Sequence, residues 1–334
     1  MARSPFFVVA LLAALFATPD SLRPQDRSKP VAAGVSREAY ERWMTELSNA
    51  GRWGRDDQLG TLNLITPEVR RRAAQSVRHG EVVSLARELV PGPDPNAIRP
   101  LELRYTVSNE DSVVTWTVDQ TTLLYHGWAY SHVDALSHTG YRGRLYNQVS
   151  KDALTATGAT RLGIEVMRSG IVGRGVLVDV PRLRGAQYLQ PGTAITAAEI
   201  ERWEQQHGVR VQSGDILLIR TGRAPRVQAE GEWQVTSGSA GPHPSLAVWL
   251  KSRGVAVLGS DVSNEIYPPV VPGLSDPLHQ LALVALGMPL LDNLDLEAVA
   301  REAAARSRWT FLFVAGPLPI RGASGSPLNP IAMF

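Results

Sequence analysis

The chain has 334 residues, 44% of them hydrophobic and 20% charged, the composition of a globular protein able to bury a large core. Its formal net charge is +2, from 34 Lys and Arg against 32 Asp and Glu, and with no basic block along the chain nucleic acid is not an expected partner. The absence of cysteine removes disulfides, thiol nucleophiles and thiolate metal sites, so any metal has to be held by histidine and carboxylate.

At the N-terminus, Arg3 precedes an apolar run from Pro5 to Ala17, too short to span a bilayer and suited to the core of a signal peptide. Residues 1–18 are therefore expected to direct export to the periplasm or beyond, with an uncleaved membrane tether as the alternative. Residues 19–35, rich in Pro, Ser and charge, read as a linker, and 36–334 as a single catalytic domain. Helices are predicted over 36–50, with Ser36 as N-cap, and over 66–79, where Pro67 takes the first helical position. Strands are predicted at 81–85, 112–118, 121–125 and 175–180 from their alternating or β-branched patterns. Further on, strands alternate with helices: helix 196–207, strand 215–220, helix 244–253, strand 255–258, helices 277–286 and 295–306, and strand 310–315. His79 and His207, each followed by Gly, read as helix C-terminal residues placed to favour the dipole. No internal repeat is visible, and the fold class expected is α/β or α+β, a mixed central sheet with packed helices.

Chemistry concentrates between Tyr125 and His138, which holds three of the seven histidines. If 131–135 is extended, side chains two apart share a face, so His132 and Asp134 converge on one point. A neutral imidazole and a carboxylate there suit zinc or manganese better than calcium. His138 follows a short turn and can return to the same centre as a ligand or a proton shuttle, and His126 adds a fourth candidate. Ordinary hydrogen bonding of unrelated polar residues is the competing explanation. No Gly-x-Ser-x-Gly elbow and no phosphate-binding loop is present.

The segment Ser131-His132-Val133-Asp134-Ala135, with His138 beyond it, resembles the hallmark His-x-Gly-Thr-His-x-Asp-x-x-x-His of the cyclase family of kynurenine formamidase-like and isatin hydrolase-like metal-dependent hydrolases. The resemblance extends from Tyr40 to Phe334 through Trp53-Gly54, Gly60-Thr61-Leu62-Asn63, 217–222, Gly259-Ser260-Asp261, His279-Gln280, Gly325-Ser326-Pro327 and Asn329-Pro330, a spacing like that of the longer members. It implies an open barrel or swivelling β/β/α fold, a divalent metal, Zn2+ or Mn2+, held by His132 and Asp134, and His138 as catalytic acid and base. It also implies a small-molecule substrate and a homodimer or larger homo-oligomer. The resemblance places His279 as a further ligand, and puts Asp292 where a glutamate is expected, a shorter carboxylate with less reach. The family's leading histidine corresponds to Trp128, which cannot bind metal. His126 takes its place only if the backbone bulges after it, a bend that Gly127 permits.

The reaction this implies is hydrolysis of a C–N amide bond in an aryl formamide or cyclic amide, with lactone or ester hydrolysis, ring-closing dehydration, or a non-catalytic exported binding protein as alternatives. Trp53, Trp128, Tyr130 and Tyr141 are read as an aromatic wall for a flat substrate, with core packing as the competing fate of each. His243, at the start of a helix, is read as lining the pocket.

Overall fold

The computed structural model of the protein describes Met1 and residues 33–109 and 113–334. The expected signal peptide and nearly all of the linker lie outside the described residues. Among these no helix is long and apolar enough to cross a membrane.

In chain order the strands begin with β1 (Val82–Ser84), β2 (Glu102–Asn109), β3 (Thr115–Thr122), β4 (His132–Asp134), β5 (Leu154–Thr155), β6 (Gly158–Ala159), β7 (Ile171–Asp179) and β8 (Ala194–Ile195). They continue with β9 (Ile216–Arg220), β10 (Gly241–Pro242), β11 (Val257–Ser260), β12 (Leu290–Asp292), β13 (Thr310–Ala315), β14 (Gly325–Pro327) and β15 (Ile331–Met333). Nine of them form one mixed sheet in the order β1-β15-β13-β7-β9-β11-β12-β4-β14, which curls into a half-barrel. Its centre is parallel from β7 through β12 and its flanks are antiparallel, the mixed sheet with packed helices expected from the sequence.

Local chemistry sets the helix starts. Helix α1 (Arg37–Glu46) begins where the Ser36 hydroxyl accepts the Ala39 N–H, and α2 (Pro67–Gln75) where Thr66 accepts that of Val69. Helix α4 (Ala197–His207) follows the short α3 (Val180–Leu183), and Glu199 reaches back to the Thr196 N–H. The sheet strands carry near-continuous apolar runs because both faces are covered: every residue of β9 and β11 is buried. Trp203, Tyr40, Tyr146, Phe311 and Phe313 complete a large continuous core.

Several expectations need correction. Helix α2 stops at Gln75, so His79 lies beyond it and gives its N–H to the Phe334 carbonyl. His207 does end α4, but its ring packs against Trp203 and Trp309, and burial first, then Arg182, pushes its pKa down, so it fills space instead of carrying charge. The strands expected at 112–118 and 121–125 are one, β3. Its partner β2 and the helix α5 (Arg223–Glu230) were not expected. Helices α6 (Leu246–Arg253), α7 (Pro277–His279) and α8 (Glu297–Ala305) follow, α7 running into a π-helical segment over Gln280–Leu286.

Candidate metal centre

Strand β4 lies between β12 and β14, and this placement builds the site. His132 and Asp134 are two apart on an extended strand and share a face. Asp292 is the residue directly opposite His132 in the antiparallel β12–β4 pair, so its side chain emerges on that same face. His279 comes from α7, whose start Pro277 fixes without needing an N–H.

His126 arrives by a separate path. Gly127 adopts φ +115°, a conformation L-residues avoid, and the bend swings the His126 ring over β14. Gly325 of β14 makes room for it: a Cβ there would lie 2.8 Å from His126 Cε1. The ring nitrogen Nε2 then meets Ser324 Oγ at 3.0 Å, and Nδ1 turns inward to 3.2 Å from Asp134 Oδ1.

Four imidazoles surround the Asp134 carboxylate. His132 Nε2 is 3.4 Å and His138 Nδ1 4.0 Å from Oδ1, and His279 Nε2 is 3.6 Å from Oδ2. Asp292 Oδ2 closes the group, 3.3 Å from His279 Nε2 and 4.0 Å from His132 Nε2. Two sets of potential ligand atoms result, His126–His132–Asp134 and Asp134–His279–Asp292, each within 4.8 Å and sharing Asp134. His138 belongs to neither set. It stacks on His126 with ring centroids 4.1 Å apart and keeps 28% of its side chain exposed.

The outer atoms of the ligand candidates are held by other groups. The Tyr130 carbonyl accepts from His132 Nδ1 at 2.8 Å, and Glu265 Oε1 accepts from both His279 Nδ1 at 3.0 Å and the His279 N–H at 2.7 Å. Asn264 Nδ2 donates to Asp292 Oδ1 at 2.6 Å, and Asn293 Nδ2 ties down the Gly127 carbonyl. Each contact leaves the remaining atom facing inward, the way a protein orients metal ligands. Inside, neither Asp134 oxygen nor His126 Nδ1 has a hydrogen-bond partner although all three are buried. A fully buried carboxylate with no donor costs several kcal/mol unless a cation balances it, so these residues fit a divalent ion.

The electrostatics agree. Burial opposes charge on Asp134, but the surrounding imidazoles, His138 first, hold it well below the ordinary carboxylate range. Burial likewise opposes charge on His279, and Asp292 and Glu265 outweigh it and raise its pKa well above normal. Glu265, fully enclosed, is pushed up to about 7 by burial. His138 shifts down, through burial and its histidine neighbours, against the pull of Asp134.

Of the expected site residues, His126, His132, Asp134, His138, His279 and Asp292 are thus brought together, the short Asp292 among them. The aromatic wall is not. Tyr141 bonds Glu41 beside Arg37 and Arg142, and Tyr130 packs on Leu101 and Ala129 with its hydroxyl taking the Leu101 N–H. The guanidinium of Arg52 lies over the Trp53 ring, and Trp128 lies against Tyr267. His243 is occupied at both nitrogens, by Ser245 and the Ala33 carbonyl, so it offers none to a pocket. Sequence reading missed Asn264, Glu265, Asn293 and Ser324. The one available signal was the polar run Ser263-Asn264-Glu265, which two residues separate from the end of β11.

A sequence model of the family described as "Putative cyclase" matches residues 73–264. A crystal structure described as a novel cyclase superposes with a TM-score of 0.77 at 31% identity, covering 87% of this chain and 99% of that one. Isatin hydrolase A from Ralstonia solanacearum (TM-score 0.52, 21% identity, 79% of this chain and 94% of that one) shares the fold. So does isatin hydrolase A from Labrenzia aggregata bound to benzyl benzoate (0.52, 21%, 78% and 95%). No curated protein matches. The extent of the family match, together with a relative at this identity over nearly nine-tenths of the sequence, establishes that the chain belongs to the cyclase family.

Proposed function

We propose that the protein is a metal-dependent hydrolase that cleaves the C–N amide bond of a small aryl formamide or cyclic amide, with 36–334 acting as one catalytic unit. One observation carries this reading: buried Asp134 has two oxygens without donors, ringed by imidazoles whose outer atoms are already engaged. His126 Nδ1, His132 Nε2, the Asp134 oxygens, His279 Nε2 and Asp292 Oδ2 would hold the ion. When bound, a zinc- or manganese-like cation supplies Lewis-acid activation of water and of a substrate carbonyl.

The remaining chemistry falls to the chain. His138, outside both ligand sets and with a depressed pKa, is neutral at neutral pH. Its Nδ1, the nitrogen 4.0 Å from Asp134, accepts a proton from water and returns it to the departing nitrogen, the second transfer that amide cleavage requires. The Tyr130 carbonyl and Glu265 keep the protons of His132 and His279 on Nδ1, away from the centre. The isatin hydrolases that share this fold act on a cyclic amide, which supports a substrate of that type.

The test is elemental analysis of the purified protein, followed by turnover of isatin and of N-formylkynurenine with zinc and with manganese. His138→Ala should keep its metal and lose about 10²- to 10⁴-fold in rate, the usual contribution of a positioned acid–base group. A fully active His138→Ala, or a wild-type protein that takes up less than about a tenth of an equivalent of metal on reconstitution, defeats the reading.

A further inference from the structure

A cavity of ≈ 190 Å³ lies between the start of α5 and the segment that follows β12, and none of the candidate metal ligands lines it. In its wall stands Arg223, the first residue of α5, only 4% exposed. Asn293 Oδ1 fixes Nη1 of this guanidinium at 2.9 Å, while Nε and Nη2, the two donors of one edge, are buried with no hydrogen-bond partner. Elsewhere in the chain that same edge grips a carboxylate. Arg174 holds both oxygens of Asp215 at 2.9 and 2.6 Å, and Arg220 both oxygens of Glu297 at 2.8 and 2.9 Å. A planar carboxylate matches this fork, and a guanidinium buried without one is costly. Burial, and then Arg87 on the same cavity, pull the Arg223 pKa down to about 9, so the group stays charged at neutral pH.

The acids nearby are of two kinds. Asp261 spends its oxygens on the N–H groups of Thr221, Gly222 and Arg223, and Glu297 is held by Arg220. Glu232 and Asp295 also line the cavity and form no ion pair among the described residues, so they call for a cation as Arg223 calls for an anion. Val227, Leu294 and Leu296 supply an apolar wall.

We propose that this cavity binds a small aliphatic α-amino acid as its zwitterion, with the carboxylate on the Arg223 edge and the ammonium facing Glu232 and Asp295. Its side chain lies on the apolar wall. A cavity of about 150 Å³ holds benzene, so ≈ 190 Å³ admits about eight non-hydrogen atoms, the size of valine. Phosphate or a simple carboxylate satisfies Arg223 but leaves Glu232 and Asp295 facing a like charge.

Calorimetric titration of the metal-loaded protein with L-valine tests this, beside isovalerate, which lacks the ammonium, and isobutylamine, which lacks the carboxylate. L-Valine should bind at one equivalent, and both companions at least about 10-fold more weakly. Arg223→Gln should weaken L-valine at least about 30-fold, the effect of truncating one partner of a buried charge pair. Should that variant fail to fold, Val227→Phe fills the cavity from a partly exposed position and should abolish binding with an unchanged circular-dichroism spectrum. Asp134→Asn, which removes the carboxylate shared by both candidate ligand sets, should bind L-valine with the wild-type Kd, separating this cavity from capture of the amino acid by a metal ion. The proposal is overturned by the absence of saturable heat up to about 50 mM L-valine, or by isovalerate binding as tightly as valine. Binding that survives Val227→Phe, or is lost in Asp134→Asn, overturns it equally.

Discussion

Removing the metal should cost stability that a single side chain controls. Asp134 is fully buried, lies 3.2 to 4.0 Å from four imidazole nitrogens, and receives no hydrogen bond on either oxygen. An ion that binds only the folded state at about 1,000 times its Kd adds about 4 kcal/mol. Unfolding the roughly 300 residues of the body releases about 0.6 kcal/mol per kelvin, so chelation should lower Tm by about 6 °C. Asp134→Asn preserves the shape but removes the anionic oxygen shared by both ligand sets. The metal-free variant should melt no lower than the metal-free wild type, because a neutral amide is cheaper to bury than an uncompensated carboxylate. Its Tm should then be indifferent to zinc, manganese or chelator. Calorimetry, or the fluorescence of the eight tryptophans, reads both quantities. A wild-type shift below about 1 °C, or an Asp134→Asn protein that keeps the whole shift, would refute the reasoning.

Two other substitutions separate the site from the scaffold. Glu265→Gln keeps an acceptor but loses the carboxylate that takes two His279 hydrogen bonds, so metal affinity should fall about 10- to 100-fold while Tm of the metal-free protein changes little. Competition with a chromogenic chelator measures it, and an unchanged Kd contradicts the role given to Glu265. Arg220→Met leaves Asp179 and Glu297, each 2.8 Å from the guanidinium, without their cation, and none of the three belongs to either set of candidate ligands. It should cost about 3–5 kcal/mol of stability with metal affinity intact. A loss below about 1 kcal/mol by denaturant titration shows the ion pair to be dispensable.

The sequence shows most clearly what local chemistry decides. Ser36, Thr66-Pro67 and the Thr196–Glu199 pair mark helix starts because capping is settled within four residues. Strands of three residues, such as β12, β14 and β15, are too short to show a period, and only their neighbours in the sheet define them. Helix α5 is obscured by Pro225, which is harmless in the first turn, where its missing N–H has no intrahelical partner. In the β2–β3 pair, Asp119 and Gln120 interrupt the β-branched run and split β3 into two apparent strands. No core selects one face there, so polar residues are tolerated inside the strand.

The same division explains the centre. His132 and Asp134 can be assigned to one face from spacing alone, since alternation along a strand is a local rule. Asp292 could not be judged that way. Its side chain is short, and reasoning from length made it a poor substitute for a glutamate, yet reach depends on where the backbone starts. Antiparallel neighbours lie only about 4.5–5.5 Å apart at Cα, and β12 sits directly beside β4 with Asp292 opposite His132, so its Oδ2 comes to 3.3 Å from His279 Nε2 despite the short side chain. His126 shows the converse. With Trp128 at the expected position, the imidazole enters two residues earlier, because Gly127 bends the chain and Gly325 leaves room beneath the ring. In both cases the side chain joins the cluster by a route that spacing along the chain does not show. Strand register and two glycines set the positions of these side chains, so a motif match by residue number alone misjudges this site.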